Sequence, residues 1–275
     1  MTRGATPPLL ELTNVCVMRG QTRALDDFSL RIGVEEHVAI LGPNGCGKST
    51  LIKTITRECY PVVPNSTRDS TSDSTPPSSG MKILGEESWD VFSLRALLGI
   101  VSNDLMAFCT GEASGRDVVL SGFFSSTGIW PNHTVDPGKK KLADAALEKL
   151  GIAHLAARPV AEMSSGEARR VLIARALAHS PRALLFDEPC NSLDLAAQHT
   201  VRQAMRDLAN SGIGIILVTH ELPDIVPEIQ RVVLMDQGRI VADGPKEEIL
   251  GVERLSKLFG VKVDLARRDG YYHLW

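Results

Sequence analysis

The apolar positions fall into two kinds of run. Residues 9–18 (LLELTNVCVM) and 25–32 (LDDFSLRI) alternate in part between apolar and polar, which predicts strands with one buried face. Residues 37–41 (HVAIL), 97–102 (LLGIVS), 182–187 (RALLFD) and 212–220 (GIGIILVTH) are short and almost continuously apolar, as strands buried on both faces are. MKILG at 81–85 resumes the strand pattern. Helical segments are expected between them, over 49–59, over much of 104–160 with 144–155 (DAALEKLGIAHL) clearest, and over 195–210. Residues 232–244 read as a hairpin turning at Asp236-Gln237-Gly238. Apolar strands alternating with helices predict an α/β fold with a mainly parallel sheet covered on both faces. Ligands of such sheets sit at the carboxyl ends of the strands.

Composition narrows the field. The chain has 275 residues, 43% apolar and 23% charged, with a formal net charge of −3. That fits one large domain or a domain with an inserted part, and it gives no broad basic footprint for nucleic acid. No apolar run reaches the roughly 18 residues of a membrane span. The N-terminus lacks the apolar stretch of a signal peptide. Cys16, Cys46, Cys59, Cys109 and Cys190 are odd in number and show no CxxC spacing, so a reducing, cytoplasmic setting is expected, without a disulfide or metal framework. Residues 62–80, rich in Ser, Thr and Pro, are expected to be a mobile surface loop.

Chemistry concentrates at strand ends. HVAIL runs into GPNGCGKST at 42–50, which matches G-x-x-x-x-G-K-[ST] between a strand and a helix. Gly42, Gly45 and Gly47 permit a tight loop whose N–H groups surround phosphate oxygens. Pro43, Asn44 and Cys46 complete it. Lys48 reaches the terminal phosphates, the Ser49 hydroxyl suits Mg2+, and Thr50 lies at the positive end of the helix. For Cys46 a small tolerated side chain is favoured over a redox-sensitive site. LLFDEP places Asp187 and Glu188 at a second strand end. Asp187 fits the Mg2+-holding aspartate of a P-loop NTPase, and Glu188 a general base for the attacking water. His220 closes a third apolar strand, where a hydrogen bond to the γ-phosphate or the water is plausible. In AEMSSGEARR, Ser164 and Glu167 form S-x-x-E, a capping box at a helix start, and Leu172, Ile173 and Ala176 give that helix a packing face.

In order along the chain, GPNGCGKST, MSSGE, LLFDEP, NSLD (191–194), VTH and the DQGRIVADG hairpin make it similar to an ABC-type ATPase, the nucleotide-binding subunit of ABC transporters. The resemblance covers nearly the whole chain. It implies a P-loop NTPase core (1–103 and 166–275) that includes an N-terminal antiparallel β subdomain, with an inserted helical subdomain at about 104–165. It implies ATP and Mg2+, and a head-to-tail homodimer with ATP between the phosphate loop of one subunit and the signature of the other. Ser164, Ser165, Gly166 and Glu167 would then face the partner's nucleotide, and Asp194 would cross the interface. Lys48, Ser49, Asp187, Glu188 and His220 would serve the nucleotide of their own subunit.

Three positions depart from the family's pattern. Asn103 stands where Gln usually contacts Mg2+. Met18 and Arg19 stand where an aromatic residue stacks on adenine, so Arg19 would have to stack by its guanidinium face. Ser165 replaces the first signature glycine. The subgroup looks similar to molybdate- and iron-chelate-type ATPases. The implied function is ATP hydrolysis that powers a transporter through dimer closure, with separate membrane permease subunits as partners and a place at the inner face of the membrane. The segment after Asn103 is where the family docks its permease, although a buried subdomain core would read the same. The alternative is a soluble ABC ATPase acting on another macromolecule, disfavoured by the single ATPase unit and the short helical insertion. A non-catalytic switch is disfavoured by Glu188.

Overall fold

A computed structural model describes residues 7–62, 80–102, 104–105 and 112–275. The expected loop at 62–80 falls almost wholly outside the described residues, as do Asn103 and Cys109. Eleven strands are described: β1 (Leu10–Arg19), β2 (Thr22–Ile32), β3 (His37–Leu41), β4 (Gly80–Ile83), β5 (Leu98–Val101), β6 (Ala183–Asp187), β7 (Gly214–Thr219), β8 (Arg231–Asp236), β9 (Arg239–Pro245), β10 (Leu265–Arg268) and β11 (Tyr271–Leu274). The described α-helices are α1 (Lys48–Ile55), α2 (Val91–Leu97), α3 (Gly115–Ser121), α4 (Pro137–Lys149), α5 (Ser165–Leu177), α6 (Leu195–Asn210), α7 (Lys246–Ile249) and α8 (Val252–Phe259).

The central sheet has the order β5-β6-β7-β3-β8-β9, parallel except for β9. Its inner strands are buried on both faces, which explains their unbroken apolar runs. Register matters most. Leu41 of β3 pairs with Thr219 of β7, and Asp187 of β6 pairs with Val218 of β7. The three strands therefore end within one residue of each other, and their next residues, Gly42, Glu188 and His220, emerge at the same edge of the sheet.

A second sheet, β2-β1-β4, is antiparallel and packs over one face of the first through a cluster that joins Phe28, Leu25 and Val17 to Ile40, Leu51 and Val233. Its first hairpin is longer than the 25–32 alternation suggested. β2 starts at Thr22, and the pairing slips at several points along β1. Asn14 (φ 47°) and Asp27 (φ 51°) sit in the left-handed region within it. Each irregularity shifts the period-2 pattern by one face, which hid the strand's length.

Two helix ends also differ from the reading above. α1 stops at Ile55 rather than running to 59, because Arg57 takes φ 63° and the chain closes with Glu58 N–H to Lys53 O (2.8 Å) and Arg57 N–H to Thr54 O (3.1 Å). This is the usual glycine-type helix stop built on an arginine, so no glycine marks it. α4 stops at Lys149, short of the end of the 144–155 stretch, because Gly151 (φ 66°) closes it through the same pair of bonds; at its start Asp136 is the cap, its side chain accepting from Lys139 N–H. The predicted hairpin turn is present, with Gln237 (φ 46°) and Gly238 (φ 77°) both left-handed, as a two-residue turn of this hand requires.

The helical segment from α3 through α4 shares one continuous apolar cluster with the sheet, reaching from Val119 and Leu147 to Phe186 and Leu217. Val118, Val119 and Leu120 are buried there. α5 is the joint. It packs against α3 and α4 on one side and against β5 on the other. At Gly99 of β5 a Cβ would lie 2.6 Å from Ala176 O of α5 and 2.5 Å from Leu184 Cδ2. Gly99→Ala is therefore expected to lower stability by about 1–3 kcal/mol through overpacking. Gly128→Ala, which meets nothing within 4 Å, should stay within about 0.5 kcal/mol of the native chain. Urea titration of the two variants side by side checks this, and equal midpoints would refute it.

Candidate functional site

The loop between β3 and α1 is built by backbone constraint. Gly47 has φ 111°, and a Cβ there would lie 2.4 Å from Ala24 O; a Cβ on Gly42 would lie 2.3 Å from Met235 O. Both positions accept only glycine. α1 then starts at Lys48 with no side-chain cap and no acidic residue in its first turn. By contrast, α3, α4, α5 and α6 are capped by Ser114, Asp136, Ser164 and Asp194. The N–H groups at Lys48, Ser49 and Thr50 have no carbonyl partner within the helix and lie at its positive end, an anion site by construction. They line a cavity of about 580 Å3 together with Asn44, Gly45, Cys46 and Gly47.

The Lys48 ammonium is buried. It donates to Gly42 O (2.7 Å) and Pro43 O (3.0 Å), and lies 4.0 Å from Glu188 Oε1. The same carboxylate oxygen is 2.9 Å from His220 Nδ1, and Asn191 Nδ2 donates to Oε2 at 3.3 Å. Glu188 sits at φ 46°, a left-handed conformation that costs a non-glycine residue roughly 1–2 kcal/mol. Its N–H still bonds Val218 O (2.9 Å), so the strand ladder holds the backbone while the turn aims the side chain at Lys48 and His220. Lys48, Glu188 and His220, which lie 140 and 32 residues apart in sequence, thus meet at one point as expected from the strand ends.

Asp187 points differently, as successive strand residues must. Burial first, then the neighbouring Glu188 and Asp104 carboxylates, push its pKa up to about 6. Asp187 and Ser49 line a second, larger cavity of about 990 Å3. Among the described residues no group of three or more His, Cys, Asp or Glu closes a metal site. A half-buried carboxylate on the same cavity as a serine hydroxyl nevertheless fits Mg2+, which is held by one or two protein groups plus phosphate oxygens. Asp104 on the rim of this cavity was not singled out from sequence, since nothing local distinguishes it from a surface acid. Asn103 lies outside the described residues. Cys46 is buried, and burial raises its thiol pKa, so the small-side-chain reading fits better than a reactive thiolate. Arg19 lines the phosphate-loop cavity and donates to Cys59 Sγ (3.4 Å). Arg23, Gln237 and Gly238 line it too and were not anticipated.

The signature stretch lies elsewhere. The capping box is formed: Glu167 N–H donates to Ser164 Oγ (3.3 Å), and Ser164 N–H donates to Glu167 Oε2 (2.8 Å). The predicted packing residues Leu172, Ile173 and Ala176 are buried, while Ser164 and Ser165 are exposed. None of Ser164, Ser165, Gly166, Glu167 or Asp194 lines either phosphate-loop cavity. Gly166 has a packing reason of its own, because a Cβ there would lie 2.7 Å from Ala197 Cβ of α6. Asp194 caps α6, accepting from Ala197 N–H at 2.8 Å.

A phosphate loop at the end of a central parallel strand, with an acidic pair at the end of the next strand but one, defines a P-loop nucleoside triphosphatase. The comparisons narrow that to one family. Residues 25–191 match the ABC transporter family model. The chain is 32% identical over 258 residues to the haemin import ATP-binding protein HmuV of Hahella chejuensis, covering 90% of this chain and 91% of the relative. It is 32% identical over 242 residues to the glutamine transport ATP-binding protein GlnQ of Escherichia coli, covering 88% and 93%. A metal-chelate type ABC transporter in an inward-facing conformation shares the fold, with a TM-score of 0.74 at 23% identity over 98% of this chain and 96% of that one. The chain belongs to the ABC transporter family and is an ATPase of its ATP-binding class. No helix among the described residues is long and apolar enough to cross a membrane.

The Asp187 environment has a measurable consequence in nucleotide-free, EDTA-treated protein. Its folded pKa of about 6 lies above an unfolded value near about 3.9, so the folded chain keeps a proton that the unfolded chain has lost. Stability from this group is present below about pH 4 and is lost as pH rises through about 6. Asp187→Asn should therefore gain on the native chain between about pH 4 and pH 6.5, by the order of 1–3 kcal/mol. Urea unfolding of both across that range is the check, and a pH-independent difference would contradict it.

Proposed function

We propose that the chain is the energy-coupling subunit of a membrane importer, closing as a homodimer around two ATP molecules and reopening after hydrolysis. The observation that carries this reading is the division of the site. Lys48, Glu188 and His220 gather at the phosphate loop, while the exposed Ser164–Ser165 helix start lines neither cavity there. A second copy in head-to-tail arrangement would bring Ser164, Ser165, Gly166 and Glu167 to the terminal phosphate, with Asp194 at the junction. The import names of the related proteins support a solute-uptake role, and the family's architecture supports separate permease subunits as the partners on the inner face of the membrane.

In this reading the N–H groups of residues 45–50 bind the phosphates and Lys48 neutralises the terminal one. Glu188 takes a proton from the attacking water, and His220 holds the Glu188 carboxylate and the γ-phosphate in line. Ser49 and Asp187 would hold Mg2+, with Asn103 a third candidate by the family resemblance; the ion would supply charge neutralisation between the phosphates. Arg19 at the cavity rim would cover the base by its guanidinium plane, in place of an aromatic ring.

Two variants test the reading. Lys48→Ala should reduce ATP turnover by at least about 100-fold, the scale of losing one preorganised charge at a transition state. Glu188→Gln should bind ATP yet fail to hydrolyse it, and light scattering with ATP and Mg2+ should then show a dimer. A monomer under those conditions would count against the sandwich. Affinity purification from detergent-solubilised membranes should recover a permease; recovery of a soluble macromolecular partner instead would favour the alternative of a non-transport ABC ATPase.

A further inference from the structure

Behind the Glu188–His220 contact lies a buried charged group that the site as described does not use. Asp224, four residues after His220, is 1% exposed. Its Oδ1 accepts two bonds from Arg202 of α6, from Nε at 3.0 Å and from Nη2 at 2.8 Å. Arg202 Nη2 also donates to Gln198 Oε1 (3.2 Å), and Gln198 Nε2 donates to Leu193 O (3.0 Å). The chain of bonds thus runs from the segment after His220 to the loop that leads from Glu188 to Asp194. Cys190 seals the same corner. It is buried, its thiol donates to Gln198 O at 3.9 Å, and burial followed by the Asp224 charge pushes its pKa well up.

A buried ion pair adds little net stability over apolar residues of the same volume, so stability alone does not account for it. What it does provide is directional registry between two backbone segments. One segment carries His220, and the other carries Glu188 at its start and Asp194 at its end. We propose that Arg202 and Asp224 are positioning residues, which hold His220 in line with Glu188 and couple that alignment to the 190–194 loop through Gln198. Movement of the loop at the subunit boundary would then be felt at the water-activating pair, with no contribution to ATP affinity, because none of the three residues touches the phosphate-loop cavity. This rests on the reading of Glu188 and His220 as the catalytic pair.

Steady-state ATP turnover of the full chain tests it. Asp224→Asn and Arg202→Met should each lower kcat about tenfold or more with KM for ATP within about twofold, the pattern of a misplaced catalytic group with intact binding. Arg202→Lys, which keeps the charge and one donor, should recover a substantial part of that loss. Gln198→Leu cuts the chain without stranding a charge and should lower kcat about threefold at unchanged KM. Thermal melts verify folding, and Gln198→Leu carries the test if the charge variants do not fold. Values of kcat within about twofold of native in the folded variants, or Arg202→Lys no better than Arg202→Met, would overturn the coupling. Glu188→Gln and His220→Ala run in the same assay separate the two ideas. Native turnover in those two sinks the catalytic reading itself, whereas their inactivity beside fully active Asp224→Asn and Gln198→Leu sinks only the coupling.

Discussion

The parallel register of β6, β7 and β3 is the constraint on which the rest depends. Because Asp187 lies level with Val218 and Leu41 level with Thr219, three chain segments leave the sheet within one residue of the same height. One becomes the phosphate loop, one carries the acidic pair, and one carries His220. A one-residue slip in either pairing would turn Asp187 or His220 to the opposite face of the sheet. The slip is opposed by the dry packing of Phe186, Leu217 and Ile40, which are fully buried. Site geometry and core packing are therefore one requirement. The strands are apolar on both faces so that the sheet can be covered by helices, and only their last residues are free to carry chemistry.

At the strand ends two carboxylates one residue apart take different roles for physical reasons. Glu188 bends out through a left-handed backbone to meet a buried ammonium and an imidazole. Asp187 stays in strand geometry, is buried beside another negative charge, and holds its proton more tightly as a result. Glu188 is reached directly by Lys48, His220 and Asn191. At Asp187 the Lys48 and Arg169 charges are outweighed by burial and by the neighbouring carboxylates, and its side chain lies on the cavity it shares with Ser49.

What was legible in the sequence was local. GPNGCGKST shows its function in nine consecutive residues, because the glycines, the lysine and the serine answer to one bound group. The capping box at Ser164 and Glu167 and the hairpin at Gln237-Gly238 are equally local, and both are formed. What was hidden depends on contacts distant in sequence. Arg57 ends α1 in a conformation usually given to glycine. Gly99 is small because α5 crosses it, and Gly166 is small because Ala197 lies against it. Arg202 reads as one more charge on an amphipathic helix until Asp224, 22 residues away, is seen beneath it.

Gly166 and Gly99 together show why the helix start at Ser164 is held so firmly although it faces away from its own phosphate loop. α5 is clamped at its first turn by α6, through Gly166 and Ala197, and at its last turn by β5, through Ala176 and Gly99. It also carries the apolar contacts of α3 and α4. The same α6 that clamps the first turn begins at Asp194 and bears Arg202, which reaches to Asp224 behind His220. The exposed Ser164–Ser165 helix start and the segment that carries His220 are thus both packed against one helix, the first through Gly166 and Ala197 and the second through the Arg202–Asp224 ion pair.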